Sequence, residues 1–339
     1  METAKASVTD SLSPQPIMEL AFGFMQSRAF LTACELDLFT VVGDGDTGSA
    51  EVARTLGTDP RATDRLMNVL GSLGLLQKAA DRFRNGPAAA RFLVRGAPEY
   101  LDGLMHWVHL WESWSTLTSA VRQGSAVSAV PVDERGEQWL DAFIAAMHWR
   151  ACRHAPAVVA ALDLTTVSRV LDVGGGSGAY AMEFARAKRG LRAVVFDLPN
   201  VLRLTAGYVE RAGLADRVAL VAGDYDRDDL GSGFDLVFLS AIIHSNSPDG
   251  NRALIRRGVA ALNPTGRLVI QDFIVDEART GPPFGVLFAL NMLVGTAAGD
   301  TYTESEAGQW MTEAGLSDVV RTDTAFGTTL LTGRKAGRR

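Results

Sequence analysis

The chain has 339 residues, enough for two domains with sizeable cores, and 47% hydrophobic against 21% charged residues is the balance of a soluble globular protein. A net charge of −6 leaves no basic excess for wrapping a phosphate backbone, which argues against a nucleic-acid binder. The two cysteines, Cys34 and Cys152, lie far apart and outside any C-x-x-C or Cys/His ligand spacing, which argues against a disulfide framework or a zinc site and agrees with a reducing, cytoplasmic setting.

The opening METAKASVTDSLSPQP is polar, carries Glu2 and Asp10, and lacks the apolar centre of a signal peptide; it reads as a disordered lead. No segment reaches the length of a membrane span, because charge interrupts every long apolar stretch. Residues 17–42 repeat apolar side chains at three and four, which predicts helix with a wide apolar face. Residues 48–79 read as short helices, with Ser49 and Asp59 as N-caps and Pro60 in a first turn. LLQKAADRFRNG, 75–86, then reads as a two-stranded wing. Helix, turn, helix and wing form a winged-helix pattern, which raises a DNA-binding regulator as one reading. Its recognition segment DPRATDRLMNVLGSLG carries only Arg61 and Arg65 as cations, and the chain is acidic, so that reading ranks low.

Residues 100–124 read as one further helix, with His106, His109, Trp107, Trp111 and Trp114 as packing residues. The small and polar stretch 125–138 is the best linker, and 139–162 is again helical. From residue 168 the pattern alternates. SRVLDVGG, RAVVFDLP, VALVAGD, FDLVFLSAII, GRLVIQDFIV and TTLLTGRK are strand-like, with helices between most of them. The basic tail GRKAGRR is expected to fray. This alternation predicts an α/β domain with a parallel, doubly wound sheet, whose ligands sit at the C-terminal strand ends.

Those ends carry the polar motifs. LDVGGGSGAY places Gly174, Gly176 and Gly178 between a strand and a helix, where the backbone turns tightly and approaches a ligand without Cβ clashes. The spacing is G-x-G-x-G; the dinucleotide fingerprint would need glycine where Ala179 stands. Alone, such a turn is an ordinary strand–helix connection. Asp197, ending the next strand, has the position of a carboxylate that accepts both hydroxyls of a ribose. Asp224 and Tyr225 follow the third strand and bracket an adenine in this reading; alone, Asp224 is a common loop carboxylate. His244 follows FDLVFLSAII, in LSAIIHSNSPDGN, and by itself is as readily a solvated loop histidine. The glycine loop, Asp197 and the Asp224–Tyr225 pair, in order at three successive strand ends, are far more specific than any one of them.

On these residues the chain resembles the class I S-adenosylmethionine-dependent methyltransferases, and more narrowly the caffeic acid and hydroxyindole O-methyltransferase group with its bacterial small-molecule relatives. VLDVGGGSG, VFDLPNV, GDYD and FDLVFLSAIIH carry the likeness, with SRAFLTACELDLF near the start and TYTESEAGQWMTEAG near the end. The resemblance implies a winged-helix-like helical dimerisation domain, 12–115, and a Rossmann-like catalytic domain, 116–339. It implies a homodimer built by the N-terminal helices and binding of S-adenosyl-L-methionine, with S-adenosyl-L-homocysteine as product and no metal. It puts Asp172, Gly174 and Gly176 around the methionine end of the cofactor, Asp197 on the ribose, Leu198, Asp224 and Tyr225 around the adenine, and Ser240 where some members carry a lysine. It puts Phe143, Met147 and Met292 on the acceptor, with His148 beside Met147.

By the same resemblance His244 is a general base that deprotonates an acceptor hydroxyl, most readily a phenol of a small aromatic natural product. An imidazole suits that task, and base catalysis is typically worth about 10²- to 10⁴-fold. Asp272 matches the first of two carboxylates that flank the base in plant members. Thr301 stands at the second, and Ser245 and Asn246 replace the usual residues after the histidine. These departures keep open a second reading, in which the bound cofactor serves a hydroxylation, decarboxylation or cyclisation without methyl transfer.

Overall fold

The structure, a computed structural model, describes residues 13–336. Residues 1–12 of the expected lead and 337–339 of the expected frayed tail lie outside them. The rest of that tail is ordered: Gly333, Arg334 and Lys335 belong to the last strand. The chain divides between Val108 and His109 into two compact units.

In the first unit α1 (Gln15–Glu35) and α2 (Leu38–Val42) replace the single expected helical run. They part at Asp37, which adopts a left-handed conformation (φ 56°) that a short polar side chain tolerates. Only Leu31 and Ala33 of α1 are buried; Ile17, Leu20, Phe22, Phe24 and Met25 stand exposed. β1 (Thr47–Gly48) precedes α3 (Ser49–Leu56) and α4 (Pro60–Ser72). Asp59 caps α4 by accepting from the Ala62 N–H at 2.8 Å. Ser49 was expected to cap α3, but Gly48 holds that position; Ser49 is already helical, and its hydroxyl donates to Asp64. β2 (Leu76–Ala79) and β3 (Arg82–Asn85) form the expected wing, and β1 adds a third strand too short to read from sequence. α5 (Pro87–Phe92) closes this unit's core of Leu38, Phe39, Met67, Leu70 and Phe83.

α6 (Leu104–Ser115) runs across the division, and α7 (Leu117–Gln123) follows after a break at Thr116, so the expected 100–124 helix is two. The expected linker 125–138 lies inside the second unit. Val132 packs beside Leu140, Ile144 and Val201, and its carbonyl accepts from Asn200. The unit boundary falls instead in a continuous helix, which composition does not mark.

The second unit continues with α8 (Glu137–Ala160), β4 (Arg169–Val173), α9 (Ala179–Ala187), β5 (Arg192–Asp197), α10 (Pro199–Arg211), β6 (Val218–Ala222), β7 (Phe234–Ser240), α11 (Pro248–Ala261) and β8 (Leu262–Asp272). Then come β9 (Ile274–Val275), α12 (Pro283–Gly295), β10 (Tyr302–Thr303), α13 (Glu304–Glu313), β11 (Leu316–Asp323) and β12 (Thr329–Lys335). Seven strands form one sheet in the order β11-β12-β8-β7-β4-β5-β6. Its centre is parallel, as expected. β12 is antiparallel to both neighbours, a reversal at one side of the sheet that the alternation of elements did not mark. The central strands are apolar runs because helices cover both faces. From β4 the chain lays β5 and β6 to one side, then returns with β7 to the other. Loops leaving the two sides of such a switch point part and leave a crevice.

Candidate active site

The glycine loop leaves β4 at this crevice. Gly174 (φ 61°) and Gly176 (φ 55°) occupy a backbone region that disfavours side chains. At Gly174 there is also no room, since a Cβ would overlap the Ile242 side chain. The loop is tied to β5: the Gly174 N–H donates to the Phe196 carbonyl at 2.7 Å, and the Gly176 N–H to Asp197 Oδ2 at 2.8 Å. Asp197 Oδ1 accepts from the Leu198 N–H at 2.7 Å. Each carboxylate oxygen retains acceptor capacity, so a diol can be added to these bonds. Burial pushes the Asp197 carboxyl up to about 6, against the pull of the two backbone N–H groups. A bare loop without room for side chains, beside a carboxylate with spare lone pairs, fits the ribose and the amino-acid end of S-adenosylmethionine.

Asp172 lies beneath this loop, on β4, with no exposed surface. Its Oδ2 accepts from the Ala181 N–H at 3.2 Å and its Oδ1 has no partner. A Cβ on Gly175 would press on its carboxyl, so the residue supports the loop from below. Burial, with the charge of Asp197 adding, raises the carboxyl from 3.8 to about 7. The native state therefore holds a proton between roughly pH 4 and 7 that the unfolded chain has released, and stability falls as pH rises through that window. Asp172→Asn removes this slope. From pH 5 to pH 8 the variant should gain on the wild type by on the order of 2–3 kcal/mol. Urea midpoints of cofactor-free protein at the two pH values measure the gain; an equal difference at both would show that Asp172 is ionised throughout.

Tyr225 and Asp224 follow β6. The Tyr225 ring borders Gly174, and its hydroxyl donates to Asn246 Oδ1 at 3.4 Å, which links the glycine loop to the segment after His244. Asp224 is engaged locally: it accepts from the Asp226 N–H and pairs with Arg227 at 3.2 Å. Leu198 packs with Leu140, Ile144 and Val201.

His244 sits across the crevice. The expected strand through Ile243 ends early, at Ser240, because Ala241 is left-handed (φ 56°), a strain of about 1–2 kcal/mol for a residue with a Cβ. Ala241 N–H donates to the Gln271 carbonyl at 2.8 Å, which holds the turn against β8. His244 then lies in a single 3₁₀ turn, Ile243–Ser245. Its Nδ1 meets Asp272 Oδ1 at 2.7 Å; its backbone N–H donates to Oδ2 at 3.4 Å. Asp272 is 2% exposed and also accepts from the Phe273 N–H at 2.8 Å. With the carboxylate on Nδ1, that nitrogen carries the hydrogen and Nε2 offers the lone pair. The His244 carbonyl accepts from the Asp300 N–H at 3.0 Å, and Gly299 packs so closely on it that a Cβ would overlap. Asn251 Nδ2 donates to the Ile243 carbonyl, and Tyr302 donates to the Asn246 carbonyl. Thr301 is buried, with its N–H on Asp300 and its carbonyl on Arg279. Among the described residues the carboxylate bonded to the His244 ring is Asp272.

The expected acceptor residues fall into two groups. Phe143 stacks on Trp139 (5.0 Å) near Leu198. His148 bonds to Ser177 Oγ in the glycine loop at 2.9 Å and stacks on Tyr208 at 4.0 Å. Burial, then Arg211 and Arg186, lowers its imidazole to about 4, so it stays neutral. Both residues lie on the glycine-loop side. Met147 is half-buried on α8. Met292 is buried one turn from Phe288, whose ring meets His244 edge-on at 4.9 Å. Ser240 donates to Gln271 Oε1 at 2.6 Å. Phe288 and Phe273 escaped the sequence reading, although Phe288 and Met292 share a helix face at spacing four.

The family model for an O-methyltransferase domain matches residues 114–317, and that for an O-methyltransferase dimerisation domain matches 18–95. The chain is 33% identical to 3-hydroxy-5-methyl-1-naphthoate 3-O-methyltransferase of Streptomyces sahachiroi, over 90% of each chain. It is 32% identical to the tetracenomycin polyketide synthesis 8-O-methyl transferase TcmO of Streptomyces glaucescens, over 95% of this chain and 97% of that one. Among solved structures, PigF with SAH is 26% identical, superposes with a TM-score of 0.87, and covers 96% of this chain and 100% of its own.

Proposed function

This chain belongs to the O-methyltransferase family, and from that premise we propose that it transfers the methyl group of S-adenosylmethionine to a phenolic hydroxyl of a small aromatic natural product, with His244 as general base. The observation that carries the reading is the 2.7 Å His244–Asp272 pair, one strand from the glycine loop. The Streptomyces sahachiroi relative, by its name, methylates a hydroxyl on a naphthoate, which supports an aromatic acceptor here.

When bound, the cofactor supplies an electrophilic methyl group on sulfonium sulfur. In this reading Asp197, Gly174 and Gly176 hold its ribose and amino-acid end, Leu198, Asp224 and Tyr225 border its adenine, and Ser240 lies near it. Met147 and Met292 line the acceptor side, while Phe143 and His148 close the glycine-loop side. His244 Nε2 takes the proton of the acceptor hydroxyl. Asp272 accepts the Nδ1 hydrogen, fixes the ring, and stabilises the imidazolium that forms. Phe288 limits the ring's freedom and Gly299 packs on the His244 backbone, which supports an in-line approach of the oxygen. The exposed apolar residues of α1 are the self-association surface of a homodimer.

Incubation with methyl-labelled S-adenosylmethionine and a panel of phenols tests the reaction. Label in an ether product is the expected result. Acceptors transformed without label would replace this reading with a non-methylating use of the cofactor.

A further inference from the structure

Arg150 lies on α8, three residues after Met147. Its guanidinium carbon stands 4.7 Å from the Phe273 ring centroid, on the ring face. It is half-buried, and among the described residues it makes no hydrogen bond or ion pair. Burial pushes the guanidinium's pKa down, while Tyr180 and Asp272 nearby oppose that. A guanidinium nevertheless keeps its proton at neutral pH, so a permanent positive charge with five N–H donors stands here without a hydrogen-bond partner among the described residues, in the field of Asp272. Asp272, whose charge acts on the guanidinium, makes its hydrogen bonds elsewhere. Asp272 serves His244 and the Phe273 N–H, and Gln271 Oε1 takes the Ser240 hydroxyl.

Phe273 continues the surface toward the base. Its ring lies 4.7 Å from that of Phe288, and Phe288 meets the His244 ring at 4.9 Å. The guanidinium and the imidazole therefore stand at the two ends of one aromatic pair, Phe273, which is buried, and Phe288, which is half-buried. A half-buried cation without a partner is costly unless something pairs with it. The planar fork of an arginine matches a carboxylate in two hydrogen bonds.

We infer that Arg150 is the anion receptor of the acceptor site, and that the acceptor is a hydroxylated aromatic acid whose ring lies against Phe288, with its carboxylate on Arg150 and its hydroxyl at His244. The fate of the hydroxyl rests on the methyl-transfer reading above; the binding of the carboxylate does not.

Hydroxynaphthoic acids and their methyl esters, paired one to one, test this. Their binding to protein loaded with S-adenosylhomocysteine is measured by calorimetry, and kcat/KM is measured on the same pairs. Hydrogen bonds to a charged group predict that the wild type favours an acid over its ester by about 10- to 100-fold. Arg150→Gln should bring that ratio close to one, and Arg150→Lys should keep part of it, with retained S-adenosylhomocysteine affinity as the check on folding. A wild type that binds none of the acids, or shows no preference for them, overturns the inference without any variant. So does an Arg150→Gln protein that keeps the preference. Acid binding that depends on Arg150 but yields no methylated product supports the receptor and removes the methyl-transfer reading instead.

Discussion

Replacing His244 with alanine is expected to lower kcat by about 10²- to 10⁴-fold, the usual worth of a positioned base, while affinity for S-adenosylhomocysteine changes little. The two effects separate because the imidazole stands beyond the end of β7 and bonds to β8, whereas the groups assigned to the cofactor, Ser240 apart, lie at the ends of β4, β5 and β6. Asp272→Asn should give a smaller loss. The amide oxygen can still accept the Nδ1 hydrogen, but it cannot balance the charge of the imidazolium. Initial rates with a phenol that the wild type methylates, taken from pH 6 to 9, make the measurement. Near-normal turnover of His244→Ala across that range would show that the acceptor loses its proton without this residue.

Asp197→Ala should weaken cofactor binding by about 10²- to 10³-fold, since two hydrogen bonds to a charged oxygen are lost at about 1.5–3 kcal/mol each, partly offset by water. The same change frees the Gly176 N–H that Asp197 now holds at 2.8 Å, so the loop loses its tether to β5 as well. The carboxyl, pushed up to about 6 by burial, adds a signature in pH. The ionised form is the better acceptor for a diol. Wild-type affinity should therefore rise as pH goes from 5 to 7 and level off above, and Asp197→Asn should abolish the rise. Calorimetric titration with S-adenosylhomocysteine at those pH values checks both. Affinity that stays high in Asp197→Ala would take the residue out of the ribose site.

Much of the second unit is legible in the sequence because its signals are local. Parallel strands here are short apolar runs: 168–175 and 192–199 stand out as buried ones, and 218–224 as an apolar run on the edge of the sheet. Gly174 and Gly176 are legible because their positive φ excludes ordinary residues. Asp197 and His244 are legible by position, one at each strand end. Signals near the ends of elements are weaker. Gly48 rather than Ser49 caps α3, and Thr116 divides a helix that periodicity joins. β11 escaped notice because LSDVVRTD is almost wholly exposed and lacks strand alternation. The reversed direction of β12 is a pairing choice, and pairing leaves no mark on the composition of TTLLTGRK.

The sequence by itself determined which groups stand at the crevice: a glycine loop after β4, a carboxylate at the end of β5, and a histidine after β7. Each depends on steric and turn preferences within a few residues of the chain. The tertiary structure alone decided what each group faces. His244 meets Asp272 across 28 residues because β8 lies beside β7, and Arg150 reaches Phe273 because α8 brings it to the end of β8. The same packing turns His148 toward Ser177 and leaves Arg150, which the sequence did not mark, without a hydrogen bond or ion pair among the described residues. Partners far apart in sequence are chosen by the packing of whole elements, and only that packing shows which charge is left without one.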